Sequence, residues 1–265
     1  MAQGFVVAGL DGSPSSDAAL DWALVEARLR GLGMRIVHAH EDTPGSGAEG
    51  RRLLAAAASR VDAEGVNVET ALVAGPPAQA LLSAARDAAV LVLGVRGVHG
   101  ARHLRLGTVA ATLTRNAHCP VVVTREPELA TAGEGIVVGL DTRTGSPRAL
   151  AFALDEAQRR GLPLTLLAVE TDAATGTHGE SDAEGSRVRA TVTSALAACA
   201  RYPDVRVTPE VEDAVSPARV LVDHGRTAAL LVVGVRPPGD PYADTSVSDA
   251  VLLHATCTVA AVRDH

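Results

Sequence analysis

Short apolar runs and helix-period segments alternate along this chain. Phe5–Leu10 is a compact apolar run that reads as a buried strand. Ser13 to Ser16 supply helix-cap candidates, and Pro14 suits a first helical turn. Ala18–Leu32 carries helical periodicity and stops at Gly31 and Gly33. Met34–Ala39 then reads as strand, Gly50–Glu64 as helix, Val66–Val73 as strand and Pro77–Arg86 as helix. Val90–Val95 follows as strand, Thr108–Asn116 as helix and Pro120–Thr124 as a closing strand. This alternation predicts a parallel, doubly wound α/β sheet covered by helices on both faces. In such sheets ligands bind beyond the carboxyl ends of the strands, where the strand order reverses. Asp11 follows the first strand and Gly94 the fourth, so both are expected on that edge.

The whole pattern then recurs. FVVAGLDGSPSSDAALDWALVEARLRGLGMRIVHA aligns with IVVGLDTRTGSPRALAFALDEAQRRGLPLTLLAV, holding Asp11 against Asp141, Leu20 against Leu150, Trp22 against Phe152 and Arg30-Gly31 against Arg160-Gly161. AQALLSAARDAAVLVLGVR matches ARVLVDHGRTAALLVVGVR without a gap, and AHCPVVV matches ATCTVAAV. The period of about 130 residues is that of a domain, far longer than a solenoid unit. Two tandem domains are expected, 1–126 and 135–265, bridged by the small and charged residues of Glu126 to Glu134. Thr171–Glu184 reads as a polar loop, and Trp22 as core.

Composition narrows the chemistry. Of the residues, 47% are hydrophobic but only 2% aromatic, so the core must be aliphatic. All 24 basic residues are arginine. Without lysine, neither a Walker-type phosphate loop nor Schiff-base chemistry is available. A net charge of -7 argues against nucleic acid as the main partner. The longest apolar runs, about eight residues, fall far short of the roughly 20 needed to cross a bilayer. The opening segment has no basic flank and does not read as a signal peptide. Cys119, Cys199 and Cys257 are odd in number and widely spaced, as in a reducing, cytoplasmic setting; Cys119 and Cys257 read as small buried residues. The nine histidines show no HxxxH or paired-cysteine spacing, so no structural zinc site is expected.

One segment concentrates candidate chemistry. Gly94-x2-Gly97-x9-Gly107-Thr108 follows an apolar strand and opens a helix. Glycines permit close backbone approach and positive φ, and the N-terminus of the next helix offers free N–H groups to a phosphate. From Ala88 through Arg125 there is no acidic residue, while Arg96, Arg102, Arg105, Arg115 and Arg125 are present. Arg102, Arg105, His99 and His103 are candidates for phosphate contact or for solvating the loop.

The opening VVAGLDGSPSS, the VAGPP at Val73–Pro77 and the glycine loop followed by HCPVVV together resemble the universal stress protein family in its tandem form, along nearly the whole chain. The resemblance implies two flavodoxin/Rossmann-like domains, each with a five-stranded parallel sheet. It also implies ATP binding, with a divalent metal such as Mg2+ or Mn2+ at the phosphates, in a stress-responsive regulator. Carried over by position, Gly9, Leu10 and Asp11 would border the nucleoside, the Asp11 carboxylate lying near ribose hydroxyls or a metal-bound water. Ala39 would line the adenine slot, and Leu93 and Gly94 would pack on adenine and ribose. Gly97, Gly107, Thr108 and Val109 would present N–H groups, with the Thr108 hydroxyl, to the phosphates. The terminal strands PVVVT and TVAAV would pair as an intrachain pseudo-dimer, with a homodimer and an unidentified protein partner beyond it.

The second copy keeps Asp141 and Gly234 but has Pro237 for Gly97, Thr245 for Gly107 and Val215 for Gly75. Asp240 and Asp244 stand in its loop, where each carboxylate close to a phosphate costs on the order of 1 to 4 kcal/mol near a surface. One ATP per chain, in the first domain, is therefore expected. Asp11 is also a turn former in its own right, and Arg96 has a match in Arg236. Three readings stand at this point: an ATP-binding regulatory module, a slow ATP hydrolase, and a scaffold that binds no nucleotide. No committed general base is evident, so turnover is expected to be very slow at most.

Overall fold

A computed structural model describes residues 4–40, 46–97, 106–126, 133–170, 178–236 and 247–263. The chain divides into two compact units, 1–130 and 131–265.

In the first unit β1 (Phe5–Gly9), α1 (Pro14–Arg30), β2 (Gly33–His40), α2 (Ser46–Asp62), β3 (Val68–Ala74), α3 (Pro77–Ala84), β4 (Ala88–Gly94), α4 (Thr108–Asn116) and β5 (Val121–Thr124) alternate as expected. The strands are parallel and ordered β3-β2-β1-β4-β5. The order reverses between β1 and β4, which places the switch point at the carboxyl ends of those two strands. Val6, Val7, Ala8, Val90, Leu91 and Val92 are fully buried there, as the unalternating apolar runs require.

α1 starts a turn earlier than its apolar period suggests. The Ser13 hydroxyl accepts from the Ser16 N–H at 3.2 Å and Pro14 fills the first turn, so the cap decides the boundary. Gly31, in left-handed conformation at φ 64°, ends it. Trp22 is only partly buried, whereas its match Phe152 is buried.

The second unit repeats the plan with β6 (Ile136–Leu140), α5 (Pro147–Arg160), β7 (Leu164–Glu170), α6 (His178–Cys199), β8 (Val207–Asp213), α7 (Pro217–Gly225), β9 (Leu230–Val235), α8 (Val247–His254) and β10 (Thr258–Arg263). Its parallel order is β8-β7-β6-β9-β10. α6 begins at His178, so the latter part of the expected Thr171–Glu184 loop is helical, and 171–177 lies outside the described residues. Polar composition alone does not separate a helix from a loop there. Cys119, Cys199 and Cys257 are buried, and burial pushes the Cys119 thiol up to about 11. Among the described residues, no helix is long and apolar enough to cross a membrane.

Candidate functional site

The loop after β1 and the turn after β4 meet across the switch point of the first unit. Asp11 folds back on its own loop, its carboxylate accepting from the Ser13 N–H at 3.0 Å. The hydroxyls of Ser15 and Ser13 reach over to β4 and donate to the Arg96 carbonyl at 2.6 and 3.2 Å. Thr124, at the end of β5, donates to the Ser15 carbonyl at 3.0 Å. His38 Nδ1 lies 2.8 Å from the Leu10 carbonyl and fixes the other side of the β1 end. His38 and Thr124 were not singled out from the sequence, and Ser15 was expected only among the helix-cap candidates. Ser15 lies in α1 while His38 and Thr124 lie in two separate strands, and only the folded sheet edge shows that they converge.

The glycines serve close approach and not unusual backbone angles. None of Gly94, Gly97 and Gly107 has φ in the left-handed range, which corrects that part of the sequence expectation. A Cβ on Gly94 would stand 2.6 to 2.8 Å from the Ser15 hydroxyl and backbone. One on Gly97 would stand 2.4 Å from Asp11 Oδ2, so these residues face each other directly across the switch point.

The other expected residues fall into two groups. Leu10 and Leu93 are each only 4% exposed, so their side chains belong to the core and only their backbone reaches the edge. Gly9 is packed against Leu81, as Gly139 is against Leu221. Ala39 sits near the end of β2, partly exposed. Gly107 is extended and its N–H donates to the Val95 carbonyl at 2.8 Å, so that donor is already used. Thr108 and Val109 open α4, which carries no side-chain cap and no acidic residue in its first turn. Arg96 turns to Glu126 at 3.0 Å. His99, Arg102, His103 and Arg105 lie outside the described residues, as do Pro237, Asp240, Asp244, Thr245 and Ser246.

Comparison with known proteins identifies the fold's family. The universal stress protein family model matches residues 5–125 and again 134–263. The chain belongs to the universal stress protein family. Universal stress protein Rv2623 of Mycobacterium tuberculosis is 30% identical over 293 residues, covering 98% of this chain and 96% of the relative. Universal stress protein Mb2028c of Mycobacterium bovis is 31% identical over 285 residues, covering 97% and 96%. Among solved structures, a universal stress protein of Archaeoglobus fulgidus superposes with a TM-score of 0.75 at 16% identity, covering 99% of both chains.

The two universal stress protein units diverge at this edge. Ser13 and Ser15 are matched by Arg143 and Gly145, and α5 starts at Pro147, a turn late, with no side-chain cap. His38 is matched by buried Ala168. Arg236 closes on Asp141 at 2.7 Å, and α8 carries Asp249 in its first turn where α4 has none. Burial pushes the Asp141 carboxyl up, but the Arg236 hydrogen bond and charge and the Arg143 and Thr144 N–H groups outweigh it and leave it lowered. A lowered carboxyl adds stability that is present above its unfolded value and lost as pH falls through its folded one. Arg236→Gln should therefore cost about 1 to 2 kcal/mol at neutral pH and flatten the acid limb of a thermal-unfolding series.

Each unit also carries a surface cavity. One, about 280 Å3, lies beside Gln79, Ser83, Arg86, Asn116 and His118; the other, about 700 Å3, beside Glu212, Ser216, Asp223, His224 and Thr227.

Proposed function

We propose that the chain is an ATP-binding regulatory protein that takes one ATP, in its first unit. The observation that carries this reading is the start of α4. Its first-turn N–H groups lie after the Gly94–Gly97 turn, with no side-chain cap and no acidic residue in that turn, so an anion meets a partial positive charge there. The matched helix α8 carries Asp249 in its first turn, which occupies that field with its own charge.

The nucleoside would lie over the backbone of Gly9 to Asp11 and the end of β2 at Ala39, with its phosphates directed to Thr108 and Val109. Gly107 contributes extended backbone and room instead of a donor. Asp11 offers a carboxylate on the Gly97 side, and that donor suits Mg2+ or Mn2+ held mainly by phosphate oxygens and waters. The described residues of this edge offer no carboxylate committed to activating a water, and the sequence has no lysine to stabilise a transferred phosphoryl group, which favours a binding module over a hydrolase. Binding would change the surface at this edge, and a partner protein would read that change.

Amide hydrogen exchange with and without MgATP tests this reading. Protection is expected at residues 9–12, 93–97 and 107–110 and not at their second-unit matches. Equal protection in both units, or none in either, would overturn it.

A further inference from the structure

We propose that Glu210, Glu212 and His224 bind a divalent transition-metal ion on the second unit. β8 points alternate residues to one side, so Glu210 and Glu212 share a face while Val211 takes the other. His224, in the last turn of α7, faces both. Its Nε2 lies 2.5 Å from a Glu212 oxygen and its Nδ1 3.7 Å from a Glu210 oxygen. One ligand atom from each residue lies within 4.8 Å of the others. Metal–ligand bonds of about 2.0 to 2.2 Å set neighbouring ligand atoms roughly 3 Å apart, so small shifts of these partly exposed side-chain ends seat an ion. The ring pairs with both carboxylates, Glu212 closely and Glu210 at 3.7 Å, and an ion would draw all three ligand groups together.

Two independent observations support a ligand here. The first is internal to the chain. By strand register and the gapless helix match, the same positions in the first unit are Ala71, Val73 and Ala84. The fold is built there with three apolar residues, so it does not need this cluster. The second is the open cavity of about 700 Å3 beside the cluster, lined by Glu212, Ser216, Arg219, Asp223, His224 and Thr227 but not by Glu210. It gives a three-ligand ion an open side for water or a small anion, as in open zinc sites. One imidazole with two carboxylates favours a borderline ion such as Zn2+ over Ca2+. Histidine spacing in the sequence missed the site because its ligands come from a strand and a helix and include one histidine.

The test is calorimetric titration of the chelator-stripped full chain with Zn2+, nucleotide omitted, so that its outcome is separate from ATP binding. One site per chain with micromolar or tighter affinity is expected. His224→Ala should weaken it by at least about 100-fold, and Glu210→Gln and Glu212→Gln by at least about 10-fold each. Circular dichroism checks the fold, and the two glutamine variants decide the matter if the alanine variant does not fold. No saturable site, or binding that none of the three variants weakens, as adventitious surface histidines would give, overturns the proposal.

Discussion

A chain carrying Gly97→Pro is expected to lose ATP affinity by at least about 100-fold while keeping its fold. Proline is the residue at the matching position 237 of the second unit. It acts twice on the first-unit site. It removes the N–H expected to meet a phosphate, and it adds carbon where a Cβ would stand 2.4 Å from Asp11 Oδ2. Asp11 must then leave the position from which it would serve the ribose or the metal. Losing one charge-assisted hydrogen bond and displacing a carboxylate amounts to about 3 kcal/mol, which sets the factor. Gly97 is exposed, so thermal unfolding without nucleotide should move by only a few degrees. Gly97→Ala keeps the donor but crowds Asp11 and should fall between. Unchanged affinity in the proline variant would remove Gly97 from the site.

Gly94→Ala should have the largest effect on stability. Its added methyl would stand 2.7 Å from the Ser15 carbonyl carbon and 2.8 Å from the carbonyl oxygen. Those atoms belong to the first turn of α1, which the Ser13 cap and the Thr124 hydrogen bond hold in place. The neighbour is backbone and cannot swing aside, so β4 and α1 must separate. Overpacking of this kind costs about 3 kcal/mol, or roughly 10 °C in the first unit's unfolding temperature. Differential scanning calorimetry reads it directly. A shift under about 2 °C would mean that the two segments part easily and that the Gly94 contact is incidental.

The architecture was legible because the signals were long and repeated. Apolar runs without alternation and a period spanning a whole domain led to two doubly wound units, and the family match at 5–125 and 134–263 agrees. Boundaries were less legible where a side chain overrides periodicity: Ser13 starts α1 before its apolar face begins, and α6 starts within a polar stretch. The edge that carries the candidate site was legible from Asp11 and Gly94, since each follows a strand. What the glycines do there was not. Positive φ and close approach leave the same letter in a sequence, and only the positions of Ser15 and Asp11 distinguish them. Gly107 likewise reads as a phosphate donor until Val95 is found to accept its N–H. The Arg236–Asp141 pair joins residues 95 positions apart and needed the folded second unit to be seen.

The central claim is one ATP per chain, held by the first unit. Isothermal titration of nucleotide-stripped protein with MgATP tests it most directly. The expected result is a single class of sites at a stoichiometry near one. A stoichiometry near two would show that the Arg236 closure and Asp249 do not prevent binding in the second unit. No saturable binding at millimolar MgATP would contradict the nucleotide reading altogether.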